Sequence, residues 1–166
     1  MNKYRHVEHT FGPVYDSDSR ILILGSFPSV KSREINFYYG HRNNRFWKIL
    51  GMLFNEEIED KMSFLLKHHI ALFDVIESCD IIGSSDASIQ NVKPNDLSII
   101  LNNSKIKTIY LNGSKAYELY NRFCKDKYSI KTVRLPSTSP ANAAYSIDDL
   151  FNEWKIIGLF DNRVGD

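Results

Sequence analysis

Cysteine is scarce in this chain: among 166 residues only Cys79 and Cys124 occur, far apart and in no C-x-x-C arrangement. That excludes a four-cysteine zinc site or an all-cysteine iron–sulfur cluster held by one chain, and leaves two buried thiols in a reducing compartment. Histidine does no better as a metal ligand, because two of the five, His68 and His69, are adjacent and point to different faces of any regular element. No metal and no cofactor is expected. Apolar runs stop short of the roughly 20 residues that a membrane span requires. The opening Met1-Asn2-Lys3-Tyr4-Arg5-His6 has no apolar leader core, so a cytoplasmic protein with no membrane partner is expected. Neither G-x-G-x-x-G nor G-x-x-x-x-G-K-[ST] is found, which counts against the common free-nucleotide enzymes. Charge of one sign is also lacking: the net value of +1 argues against a strong non-specific DNA binder.

What is present describes an ordinary globular domain, with 43% hydrophobic and 25% charged residues and a generous 13% aromatics. The length suits one domain over residues 1–166, acting as a monomer. Residues 1–19 read as an irregular or short-strand lead-in. Apolar strands are expected at 21–24, 70–75, 108–111 and 131–134, and helices at 44–54, 56–67, 94–102, 115–123 and 146–160. Pro94 sits where a helix starts, and Ser146, followed by Asp148 and Asp149, reads as a helix cap. Trp47 and Trp154 fall on inward faces. Residues 76–93 are polar and read as a long loop. Strands alternating with helices predict a three-layer α/β/α domain around a mainly parallel four-stranded sheet.

In a parallel sheet all C-terminal strand ends share one edge, where such folds bind ligands. Three unusual loops fall there: Gly25-Ser26-Phe27-Pro28, Asn112-Gly113-Ser114, and Pro136-Ser137-Thr138-Ser139-Pro140. The first leads into Tyr38-Tyr39-Gly40-His41-Arg42-Asn43-Asn44-Arg45-Phe46-Trp47, a mixture of rings, amides and cations suited to a flat polar ring attached to phosphate. The Asn112 amide has one donor and one acceptor side, a match for the N–H/C=O edge of a lactam base; an Asx-turn or helix cap is the plainer reading. The rigid Pro-Ser-Thr-Ser-Pro loop offers hydroxyls and backbone N–H groups to phosphates, or serves simply as a strand-to-helix turn.

These residues resemble the uracil-DNA glycosylase superfamily. Gly25-x-x-Pro28 is similar to its first motif, and Leu135-Pro136-Ser137-Thr138-Ser139 to its second, the loop that pinches DNA. His41 and the run Asn44-Arg45-Phe46-Trp47 resemble a segment of the mismatch-specific enzymes. The combination with Tyr38-Tyr39-Gly40-His41 and the Pro140-Ala141-Asn142 extension looks most like the hypoxanthine-DNA (deoxyinosine) glycosylase branch, over about residues 8 to 160. Two departures matter. Phe27 stands where related uracil enzymes carry a water-positioning Asp or Asn, and Leu135 stands where the most active carry a His.

The resemblance implies a monofunctional glycosylase of base excision repair. It would flip a deaminated base of DNA, hydrolyse its N-glycosidic bond with water and leave an abasic site. It implies Asn44 as the catalytic amide, its carbonyl oxygen orienting the water, with Asn43 as second choice. Tyr39 and Phe27 would stack on the base, Asn112 would read its lactam edge, and Gly25 and Ser26 would shape the pocket. Ser137, Thr138, Ser139, Pro140, Ala141, Asn142, His41 and Arg42 would meet DNA. Asp74 and Asp86 are rival carboxylates for the water. A uracil- or thymine-excising enzyme of the mismatch type, and a non-catalytic damaged-DNA binding module, are the alternatives.

Overall fold

A computed structural model describes residues 3–158. The strands in chain order are β1 (Arg5–Glu8), β2 (Ile21–Gly25), β3 (Ile70–Asp74), β4 (Ile76–Ile81), β5 (Gln90–Pro94), β6 (Thr108–Asn112) and β7 (Lys131–Leu135). The helices are α1 (Val30–Ile35), α2 (Phe46–Phe54), α3 (Lys61–Lys67), α4 (Ser98–Asn102), α5 (Ser114–Phe123) and α6 (Ile147–Trp154). Four strands form the expected parallel sheet, in the order β3-β2-β6-β7. Every residue of β2 and β3 is buried, as happens when helices cover both faces of a parallel sheet and the strand need not alternate. Register places Gly25 beside Asp74 and Asn112 beside Leu135, so the C-terminal ends of all four strands emerge along one edge.

The second sheet departs from expectation. β1, β4 and β5 form an antiparallel sheet in the order β1-β4-β5, where residues 76–93 read as loop. The chain passes from β3 into β4 across the single residue Val75. Register shifts between Ile76, Ser78 and Asp80 break the two-residue alternation, and buried Ser78 and Cys79 give no apolar signal. Pro94 ends a strand at the sheet edge, where a missing N–H is tolerated, rather than opening a helix. The helix after it starts only at Ser98, whose N–H and hydroxyl both bond Asp96.

Other boundaries move for identifiable reasons. The helix expected at 56–67 begins at Lys61, because Asp60 caps it by accepting the Ser63 N–H. Ser29 likewise caps α1 inside the stretch read as loop. Ser146 and Asp149 close a reciprocal capping box on α6, as expected, although residues 159 and 160 of that expected helix lie outside the described residues. Trp154 is completely buried against Phe46, while Trp47 packs half-buried on Phe37. Cys79 and Cys124 are buried free thiols. Among the described residues no helix is long and apolar enough to cross a membrane.

Candidate active site

A cavity of about 340 Å³ opens at the edge where the parallel strands end. Gly25, Ser26, Phe27, Tyr39, His41, Asn44, Asn112, Ser137, Thr138, Ser139, Pro140 and Ala141 line it, so most residues singled out from the sequence converge. Three do not. Asn43 and Arg42 are exposed outside the lining, and Asn142 borders a neighbouring cleft, donating from Nδ2 to the Ser137 carbonyl. Asn43 instead donates its backbone N–H to His41 Nδ1.

β3 supplies the floor. Asp74 Oδ2 lies 2.8 Å from His9 Nε2, with both side chains almost wholly buried at 4% and 3% exposure. Gly25 makes this possible. A Cβ there would stand 2.6 Å from Asp74 Oδ1 and 3.2 Å from Tyr39 Oη, so both polar atoms use the space a side chain would fill. Tyr39 stacks on Phe46 with ring centroids 4.0 Å apart, from a left-handed backbone conformation (φ 52°) unusual for a ring-bearing residue. Burial, reinforced by the Asp74 charge, drives the Tyr39 pKa upward, so the phenol stays a donor. Phe27 forms a wall, with the Arg33 guanidinium 5.6 Å from its ring centre and the His9 ring edge-on to it.

Asn112 and Asn44 act here as joints. Asn112 Oδ1 accepts the Thr138 N–H and its Nδ2 donates to Thr138 Oγ1, both at 3.1 Å. Thr138 Oγ1 donates in turn to Asn44 Oδ1 at 2.8 Å, and that oxygen also accepts the Phe46 N–H that opens α2. In this structure the Asn112 oxygen is taken by Thr138, and its second N–H faces the Tyr39 hydroxyl. The Asn44 oxygen thus accepts two hydrogen bonds, one from the 136–145 loop and one from the first turn of α2. Asn112 caps no helix either, since α5 is entered through Gly113 at φ 100°, whose missing side chain lets Ser137 approach.

Arg45 holds the 136–145 loop, a role its place in the Asn44-Arg45-Phe46-Trp47 run did not announce. Its guanidinium donates to the carbonyls of Thr138, Ser139, Asn142 and Tyr145. Its backbone N–H adds a bond to the Thr138 carbonyl at 3.1 Å. The rim opposite is the β4–β5 turn, where Asp86 accepts a 2.8 Å hydrogen bond from Ser26 Oγ. Burial of this carboxyl, with some help from Asp74, raises its pKa against the opposing effects of Ser26 and Lys115.

The pattern of the uracil DNA glycosylase superfamily matches residues 13–157, a stretch that contains the whole cavity edge. The chain belongs to the uracil DNA glycosylase superfamily. Within that superfamily it is 33% identical over 157 residues to a hypoxanthine DNA glycosylase of Methanosarcina acetivorans, covering 91% of this chain and 98% of the relative. It is also 33% identical over 114 residues to a hypoxanthine DNA glycosylase of Methanosarcina barkeri, covering 65% of this chain and 72% of that one. A solution structure of a provisionally named uracil DNA glycosylase from Methanosarcina acetivorans superposes with a TM-score of 0.77 at 32% identity, covering 94% and 97% of the two chains.

Proposed function

We propose that this protein is a DNA glycosylase that flips a deaminated base, foremost hypoxanthine, from DNA and hydrolyses its N-glycosidic bond, leaving an abasic site. The observation that carries the reading is the cavity itself, built from the chain's superfamily motifs, in a protein similar along its length to one named hypoxanthine DNA glycosylase. Phe27 and Tyr39 give the base ring its apolar walls. A lactam edge needs one acceptor and one donor. Asp74 Oδ1 supplies the first, and the Tyr39 hydroxyl, whose oxygen the second Asn112 N–H faces, supplies the second. Adenine brings a ring lone pair where hypoxanthine brings N1–H, so it would face the Asp74 carboxylate with nothing to donate from that position.

Asn44 holds Thr138, and through it the Ser137–Ala141 segment, against α2, so its role is to keep the phosphate-facing loop and the base pocket in register. Ser137 and Ser139 meet phosphates, Pro140 and Ala141 fill the gap left by the flipped base, and His41 and Arg42 flank the entering strand. No lysine intermediate is required, which makes the enzyme monofunctional. The test is release of free base from oligonucleotides carrying hypoxanthine, uracil or xanthine. Hypoxanthine release at the highest rate is expected. Release of uracil alone would assign the protein to uracil repair, and tight abasic-DNA binding with no release would make it a binding module.

Gly25→Ala is expected to lower the excision rate about 100-fold, because a misplacement near 1 Å at the reacting centre has effects of that order, and to lower the melting temperature by several degrees through overpacking, roughly 1–3 kcal/mol. The added Cβ would displace an Asp74 carboxylate that His9 holds from the other side. Single-turnover kinetics beside a thermal melt would check it; an unchanged rate would mean that the floor is not read by the base.

A further inference from the structure

Asp74 reads an N–H edge best as a charged acceptor, and a carboxylate this deep in a protein stays charged only with a partner. That partner comes from outside the parallel sheet. His9 directly follows β1, and its backbone N–H donates to the Glu77 carbonyl at 2.7 Å, which carries the β1–β4 ladder one residue further. Glu77 lies in β4, just beyond Asp74 and the connecting Val75, so one corner of the chain places both members of the pair. The imidazole is enclosed by the rings of Phe11, Phe27, Tyr38 and Phe73, with centroids 4.6 to 6.1 Å away.

Inside that cage the ring has one polar partner among the described residues. Nε2 meets Asp74 Oδ2 at 2.8 Å, while Nδ1 is buried with nothing to bond. The ring proton that matters therefore lies on Nε2 and points at the carboxylate. No lysine or arginine among the described residues pairs with Asp74. Its other oxygen, Oδ1, stands over Gly25 at the floor of the cavity.

Resting on the glycosylase reading above, we propose that His9 is a positioning residue that sets base specificity: its Nε2–H holds Asp74 as a charged acceptor, so the floor takes a base carrying an N–H and refuses one carrying a ring lone pair. Without that donor the buried carboxyl retains a proton. The proton settles on Oδ1, because Oδ2 then faces only rings and hydrocarbon. Two donors meet at the hypoxanthine N1–H, and adenine, a normal base, becomes the better match. The histidine guards undamaged DNA without touching it.

The test compares His9→Phe and His9→Leu, which suit the aromatic cage but donate nothing, with His9→Gln, whose amide N–H reaches toward the place of Nε2. Near neutral pH, single-turnover release of hypoxanthine from duplex DNA should fall about 10- to 100-fold in the first two, the range for losing a hydrogen bond to a charged group. His9→Gln should recover most of that loss. The deficit should also shrink as pH rises from about 6 to about 9, because higher pH ionises the orphaned Asp74 and restores its acceptor. The other titratable groups around Asp74, those of Tyr38, Tyr39 and Asp86, are common to all these proteins and cancel in the ratio to the parent. Affinity for abasic DNA should stay level, since it brings no base to the floor.

A deficit equal at every pH, a glutamine variant as slow as the leucine one, or donor-free variants within about threefold of the parent near neutral pH would overturn the proposal. So would a chain that folds with glutamine but with neither phenylalanine nor leucine, which would make His9 a residue of the core alone. A parent that releases no base overturns the glycosylase reading as well; an active parent beside a pH-independent deficit removes the role of His9 alone.

Discussion

Arg45→Ala should abolish base excision, by about 100-fold or more, while leaving most of the fold standing. The guanidinium binds four carbonyls of one loop, those of Thr138, Ser139, Asn142 and Tyr145. Hydrogen bonds to charged groups contribute roughly 1.5–3 kcal/mol, less than additively when one side chain makes them all, and Asn44 and Asn112 reach this loop only at Thr138. Freed of it, residues 136–145 sample many conformations, and the Thr138 contacts to Asn44 and Asn112 lose their alignment. A lysine cannot replace the fork, since a single ammonium reaches fewer of these divergent oxygens. Hydrogen exchange should show faster amide exchange confined to 136–145 in the alanine variant, alongside lost turnover. Activity within about tenfold of the parent would show that the loop is ordered without this residue.

Trp154→Ala carries the largest expected loss of stability, about 3–5 kcal/mol. Its ring is fully buried, stands edge-on to Phe46 with centroids 5.8 Å apart, and donates from Nε1 to the Pro136 carbonyl at 2.9 Å. Truncation opens a cavity between α2 and α6 and leaves the part-buried Pro136 carbonyl without its donor. For a domain of this size the melting temperature should drop by roughly 10 °C. Trp154→Phe separates the two contributions: most of the packing survives, and the remaining loss, about 1 kcal/mol, reports the hydrogen bond. Equilibrium denaturation of the three proteins measures both numbers.

The fold was readable where burial leaves an unbroken apolar signature. Ile21-Leu22-Ile23-Leu24 announces a doubly covered strand, and the Ser146 cap with Asp149 announces a helix start. It was hidden where polar residues do structural work. Ser78 and Cys79 are buried in β4 without looking apolar, and Pro94 signals a helix it does not begin. The site shows the same division. Strand ends predict which loops meet, because a parallel sheet puts them on one edge whatever the side chains do. They cannot predict how neighbours share hydrogen bonds: Asn44 and Asn112 look like free amides until Thr138 arrives from the far end of the chain. Arg45 gives no sign of its structural role for the same reason, its carbonyl partners lying 93 to 100 positions away.

Those separations bear on how the protein is made. His9 reaches Asp74 across 65 positions, Ser26 reaches Asp86 across 60, and Asn44 reaches Thr138 across 94. Pairings this distant form late, after the entropy of closing long loops has been overcome. On the ribosome, the floor can close once the third strand has emerged, but the wall against Asn44 waits for the last quarter of the chain. A nascent or prematurely ended polypeptide therefore lacks a complete pocket, and the competence to cut a base from DNA arrives in one step, with the finished molecule.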